Sequence, residues 1–189
     1  MTHYSILKTR LMGDLLLVAD NEQLNGVYFA DCPHAPAVRR AWVSDPHHPV
    51  LKQAGEELRG YLRGDRTNFT VSLEGAGTAF QREVWRQIAL IPFGQTITYT
   101  ELARRAGAPA AVRAAGTATG KNPISIIVPC HRVVGKNGLL RGYAGGLDRK
   151  RRLLEMETSI EAGGRLTGPS SAKLPRRTGR PALRTWSQP

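Results

Sequence analysis

Short strand-like segments fill the first third of this chain and capped helical segments fill residues 78 to 157. That segregation limits the fold more than any other feature. In "YSILKT", "LLLVAD" and "LNGVYFA", Leu, Val, Ile and aromatics dominate, and the polar "DNEQ" between the last two reads as a turn. A small antiparallel sheet is predicted. From Val50 the apolar positions Leu51, Ala54, Leu58, Tyr61 and Leu62 recur at helical spacing as far as Gly64, and "FTVSL" alternates like a further strand. The glycines of "EGAGT" then mark a linker, so residues 1–77 are expected to form one α/β scaffold domain.

From residue 78 the pattern is helical. Thr78 with Gln81 fits a capping box, and Phe80, Val84, Trp85, Ile88 and Ile91 make one face that ends at Pro92. A second box, Thr98 with Glu101, starts a short helix to about Ala106, where Gly107 breaks it. Pro109 suits the first position of the next helix, the alanine-rich "PAAVRAAGTATG". Helix, glycine-containing turn and helix make the outline of a helix-turn-helix, a unit that often docks on DNA. "RVVGKNGLLR" looks like a hairpin about Asn137-Gly138, which would add a wing. A last helix over Leu147–Glu157 turns Leu147, Leu153, Leu154 and Met156 inward and Arg149, Lys150, Arg151 and Arg152 largely outward. Residues 158–189, rich in Gly, Pro, Ser and Arg, bury too little apolar surface to offset their ordering entropy and are expected to form a disordered basic tail.

Charge follows the same division. Residues 1–79 hold 8 Lys/Arg against 9 Asp/Glu, residues 80–157 hold 13 against 5, and residues 158–189 hold 6 against 1. A basic half beside a near-neutral one suggests a polyanionic partner, because Lys and Arg that neutralise phosphates release condensed counterions. No apolar stretch approaches the roughly 20 residues that span a bilayer, and no secretory pattern opens the chain, so a cytoplasmic protein with no membrane contact is expected. With two cysteines, Cys32 and Cys130, reduced thiols are expected rather than a disulfide scaffold.

Cys130 lies in "ISIIVPCHRVVG", residues 124 to 135. Ile124, Ile126, Ile127 and Val128, bracketed by Pro123 and Pro129, suggest a buried extended segment that delivers the cysteine to a pocket. A cysteine so placed is most often a small buried hydrophobe. It becomes a nucleophile only with a neighbour that takes its proton, and His131 is adjacent; in an extended segment the two would point apart, so a bridging water is the expected link. Metal binding through Cys32, His34, His47 and His48 is the rival, but these lack the paired spacings of zinc modules, and no metal or cofactor is expected.

"PCHRVVG", preceded by "GKNPISIIV" and followed by "GYAGGLDRKRRLLEME", resembles the O6-alkylguanine-DNA alkyltransferase family. The likeness is close over residues 78–157 and looser over 1–77. It implies an α+β protein: a small mixed sheet-and-helix domain, RNase H-like, at residues 1–77, a helical winged helix-turn-helix domain at 78–157, and the tail at 158–189 outside the likeness. It implies a suicide transferase, in which Cys130 takes the alkyl group from O6-alkylguanine, or from O4-alkylthymine, in double-stranded DNA.

The resemblance also implies roles for single residues. His131 would act on the thiol through water and Glu157 would orient it, with Glu155 the competing carboxylate. Asn122 would brace the segment leading to the cysteine. Tyr99 would assist nucleotide rotation and hydrogen-bond the leaving guanine. Arg113, among Ala110, Ala111, Ala114 and Ala115, would fill the gap left by the flipped base as its helix enters the minor groove, where sequence readout is poor. Tyr143, Ala144 and Gly145 would wall the guanine pocket, Lys150 would lie near it, and the Val133 carbonyl would meet the guanine amino group. Ala144 departs from members with serine there, and Arg141 from those with a small polar residue. The N-terminal half offers no chemistry of its own, and a monomer is expected. A non-catalytic sensor of alkylated DNA is the alternative, against which Cys130 argues; an alanine-rich second helix argues against a winged-helix transcription regulator.

Overall fold

The computed structural model describes residues 1–163. Strands β1 (Thr2–Leu7), β2 (Leu15–Asp20) and β3 (Gln23–Phe29) form the expected antiparallel meander, with Asn21 in the left-handed region (φ 53°) at the β2–β3 turn. A short β4 (Val43–Ser44) joins the outer edge of β1 in parallel, giving the order β3-β2-β1-β4 and a mixed sheet. Helix α1 (Pro49–Leu62) packs on this sheet through Leu51, Ala54, Leu58 and Tyr61, the face its periodicity predicts. "FTVSL" is no strand: among residues 69–73 the ladder to the sheet is limited to the bridge of Leu73 to Leu24, where Leu24 N donates to Ser72 O. Its polar backbone is instead held by Glu57, which accepts from the amides of Thr70 and Val71.

The second half contains α2 (Ala79–Ala89), β5 (Ile97–Thr98), α3 (Tyr99–Arg105), α4 (Val112–Gly120), β6 (Val133–Val134) and α5 (Leu147–Glu161). The Thr78–Gln81 capping box closes in both directions. At Thr98 only half forms, because Glu101 turns to Arg104 and Arg105 instead of back to the cap. Helix α4 begins at Val112, not Pro109, since Ala108–Ala111 closes a turn of its own before it. Trp85 of α2 donates to Ala118 O of α4 at 2.8 Å, fixing those two helices together.

The expected wing is reduced to its turn. Asn137 (φ 58°) and Gly138 (φ 75°) take the left-handed conformations that the pair favours, and Gly135 N bonds Leu139 O, but no hairpin forms: β6, just before the turn, pairs in parallel with β5, and no strand follows it among the described residues. Helix α5 also departs from expectation. Lys150 is fully buried and Arg149 reaches inward to Met12 O and Asp31, whereas Leu147 is 43% exposed. Backbone carbonyls hold both cations: Arg149 donates to Met12 O and Gly145 O, and Lys150 to Val133 O and Arg141 O. The helix continues to Glu161, four residues into the expected tail, and residues 164–189 lie outside the described residues. Among the described residues no helix is long and apolar enough to cross a membrane.

Candidate active site

The segment that carries Cys130 is clasped between the halves of the chain. Val27 of β3 donates to Pro123 O and accepts from Ser125 N, so the segment docks as an extra rung on the first sheet. It is buried as expected but not extended. Ile127 N bonds Ser125 O, a three-residue γ-turn centred on Ile126 at φ 71°, a conformation that costs a β-branched residue about 1–3 kcal/mol. The bond from Val128 N to Ile124 O and complete burial of Ile126 hold it there. A second, inverse γ-turn at Pro129 (φ −81°, ψ 62°) brings Cys130 N to Val128 O and opens a 3₁₀ turn over Cys130–Arg132. Two local reversals thus replace the straight run that the apolar pattern implied.

Asn122 ties the ends of this loop together. Its Oδ1 accepts from Ile124 N at 3.0 Å, while its Nδ2 donates to Val128 O at 2.8 Å and to Cys130 Sγ at 3.2 Å. Burial pushes the Cys130 thiol above its ordinary value, and the Asn122 donor and the Lys150 charge pull the other way. The result is a protonated thiol at neutral pH that needs a base to become nucleophilic.

On the 3₁₀ turn His131 follows Cys130 by about a third of a turn, a closer relation than opposite faces of a strand allow. His131 Nε2 lies 2.8 Å from Glu157 Oε1. Both side chains are fully buried. Burial raises the Glu157 carboxyl, but His131 and Arg132 outweigh it and hold it at about 2. Burial also pushes His131 below its ordinary value, against the pull of Glu157. Since Nε2 faces an ionised carboxylate it carries the hydrogen, so Nδ1 keeps its lone pair. That Nδ1 is buried without a hydrogen-bond partner among the described residues. Glu155 is exposed, so of the two carboxylates only Glu157 reaches the histidine.

Two residues of this cluster escaped the sequence reading. Arg132 forks onto Glu157, with Nε at 3.0 Å from Oε2 and Nη2 at 2.9 Å from Oε1, and donates its other nitrogen to Ile91 O. Its place directly after the histidine was the only signal. Tyr61 of α1 donates its hydroxyl to Glu157 Oε1 and lies 3.3 Å from His131 Nε2. Helical periodicity turned Tyr61 inward but said nothing of its partner, so the N-terminal half does contribute to the cluster, contrary to expectation.

Around Cys130 stand the remaining predicted residues. Burial raises the phenols of Tyr99 and Tyr143, and a thiolate at Cys130 would raise both further. The Tyr99 hydroxyl donates to Arg141 O at 3.2 Å; that of Tyr143 is buried without a partner among the described residues. Lys150 Nζ bonds Val133 O at 2.6 Å and Arg141 O at 2.7 Å, tying β6 to the 141–146 loop, and burial lowers its pKa to about 8. The Val133 carbonyl is therefore already bonded, with one lone pair left. Gly145 must be glycine, since a Cβ there would run into the Phe29 ring. Ala144 helps to line a cleft of about 330 Å³ with Phe29, Cys32, Asn122 and Ser125. Arg113 and Ala114 stand apart from the cluster, exposed on α4. Cys32 and Cys130 are both free thiols, and among the described residues no three His, Cys, Asp or Glu side chains gather as metal ligands.

Residues 2–74 match the family model described as "6-O-methylguanine DNA methyltransferase, ribonuclease-like domain", and residues 79–159 that described as the DNA binding domain of the same methyltransferase. The chain is 43% identical to the methylated-DNA–protein-cysteine methyltransferase of Mycobacterium bovis over 159 residues, 84% of this chain and 94% of that one. Against the protein of the same name from Methanosarcina acetivorans the identity is 43%, covering 83% and 99%. The crystal structure of Mycobacterium tuberculosis OGT in complex with DNA superposes with a TM-score of 0.76 at 42% identity, covering 83% of this chain and 93% of that one. By its sequence over both halves and by its fold, the chain belongs to the 6-O-methylguanine DNA methyltransferase family.

Proposed function

We propose that this protein repairs DNA by moving the alkyl group of O6-alkylguanine onto its own Cys130, once per molecule and without a cofactor. One observation carries the assignment of residues: a buried cysteine held by Asn122 precedes a histidine whose Nε2 is committed to an ionised carboxylate and whose Nδ1 is left with a lone pair. In this reading Cys130 Sγ attacks the O6-bound carbon. The S–C bond forms as the C–O6 bond breaks, the thiol proton passes through a water to His131 Nδ1, and guanine takes up a proton at N1 from solvent as His131 returns its own. Over the whole reaction the thiol hydrogen and the alkyl group change places. A thioether does not readily give up its alkyl group, so the protein is spent after one transfer. Family membership and the names of its relatives, cysteine methyltransferases acting on methylated DNA, support the same reaction.

Tyr99 would give up its bond to Arg141 O to donate to the leaving guanine, and the unpaired Tyr143 hydroxyl and the Ala144 and Gly145 backbone would meet the base. Lys150 would hold Val133 O in place while the carbonyl's second lone pair accepts from the guanine amino group. The buried thiol cannot reach a stacked base, so the nucleotide must leave the duplex. Arg113, exposed on α4 beside the small Ala114, would occupy the gap from the minor groove. The protein would act as a monomer in the cytoplasm.

The test is the intact mass of the protein after incubation with a duplex containing one O6-methylguanine, followed by peptide mapping. A gain of one methyl group, confined to Cys130 and stopping at one equivalent, is expected; no gain, or a gain elsewhere, overturns the assignment. Arg113→Ala is expected to react with free O6-alkylguanine as the parent does while losing roughly a hundredfold or more on duplex DNA, the scale of a flipping cost of a few kcal/mol. Equal losses on the two substrates would remove Arg113 from base flipping.

A further inference from the structure

We infer that Tyr61, on α1 in the N-terminal half, is a positioning residue for alkyl transfer, acting through Glu157 and His131 to hold the imidazole in the tautomer whose Nδ1 receives the thiol proton. The inference rests on the reading of Cys130 as acceptor and extends it, because it gives the first half of the chain a part in the chemistry.

The Tyr61 side chain is fully buried and its ring is wedged between Phe69, at 5.2 Å, and Phe93, edge-on at 5.9 Å. Its hydroxyl therefore has one orientation. It holds a single hydrogen, donated to Glu157 Oε1, so the oxygen turns a lone pair toward His131 Nε2 at 3.3 Å. Nε2 is then flanked by two acceptors, Glu157 Oε1 at 2.8 Å and the tyrosine oxygen, and a hydrogen on Nε2 satisfies both. The opposite tautomer would set a lone pair against both acceptors and put the hydrogen on Nδ1, which has no acceptor among the described residues.

The charges facing His131 come from several elements. Glu157 and Lys150 lie on α5 and Arg132 on its own turn; Tyr143 stands 6.4 Å away, ring to ring, on the following loop, and Tyr61 comes from α1. Tyr61, His131 and Arg132 all donate to the one Glu157 oxygen, so each weakens the pull on the others. Without the tyrosine hydroxyl the carboxylate falls more heavily on His131 and favours the imidazolium, which cannot take a proton.

Tyr61→Phe keeps the ring and removes only the hydroxyl. Single-turnover methyl transfer from an O6-methylguanine duplex, measured from pH 5 to 9 at saturating DNA, is expected to slow several-fold near pH 6. Its acid limb should move up by about half a pH unit, with duplex affinity unchanged. Nitrogen NMR of His131 in the unreacted proteins is expected to find hydrogen on Nε2 in both and a higher imidazolium fraction in the variant near pH 6. A folded variant with the parent's pH profile and the parent's histidine spectrum overturns the proposal. If the parent itself gains no methyl group, the acceptor reading has failed and this inference with it; the NMR comparison separates that failure from an error in the Tyr61 geometry.

Discussion

Replacing Cys130 by serine is expected to abolish alkyl uptake while leaving recognition of alkylated duplex intact. Serine keeps an acceptor for the Asn122 Nδ2 that now donates to Sγ at 3.2 Å, so the clasped loop and its two γ-turns should survive. An alcohol is far harder to deprotonate than a thiol, and a neutral His131 is too weak a base to make up the difference. Transfer should fall by roughly 10⁴-fold or more, the scale on which loss of a nucleophile acts in relays of this kind. The melting temperature should stay within about 3 °C, as expected when one small side chain replaces another and the hydrogen bond is kept. Mass spectrometry after overnight incubation and lesion-duplex affinity check both halves of the expectation. Continued uptake by the serine variant would move the acceptor elsewhere, with Cys32, the other free thiol and a wall of the adjoining cleft, the first place to look.

Glu157→Gln should be the most damaging conservative change in the molecule. The carboxylate receives Tyr61, His131, both arms of Arg132 and the amide of Gly94, and its loss leaves the Arg132 charge buried without a counterion. Breaking a buried pair from one side costs about 3–5 kcal/mol, which for a domain of this size lowers the melting temperature by roughly 10 °C. The pH dependence carries a sign. A carboxyl whose folded value is about 2, against 4.5 for the free group, stabilises fully above 4.5 and loses that contribution as pH falls toward 2. The parent's advantage over the variant should therefore be complete at pH 7 and shrink below 4.5. Denaturant unfolding at several pH values measures it, and a difference under about 1 kcal/mol at pH 7 would mean that the network is not paired as described.

Much of the frame was legible because it rests on local rules. The β1–β3 segments, the Thr78 cap, the inward face of α1 and the turn at Asn137-Gly138 follow from residue type and spacing alone, since each rests on its own residues or on the adjacent strand of the same meander. Where a segment's partner lay far along the chain, local rules misled. Residues 69–73 looked like a strand because they alternate, but the amides of Thr70 and Val71 go to Glu57. Lys150 looked exposed because lysine usually is, yet two carbonyls, 17 and 9 residues away, hold it inside.

The sequence by itself determined which atoms could do the chemistry: a thiol, an adjacent imidazole and a carboxylate one helix later, in a motif specific enough to imply a family. Tertiary structure alone decided how they are joined. The γ-turns that deliver Cys130 arise because the segment must dock on β3 at one end and be clasped by Asn122 at the other, and no property of Ile126 favours its φ of 71°. Tyr61 reaches Glu157 across 96 residues of chain and Arg132 finds the same carboxylate across 25. Such contacts carry no periodicity or spacing. They exist because a buried charge must be paired wherever the fold places it, and only the folded chain brings those partners within reach.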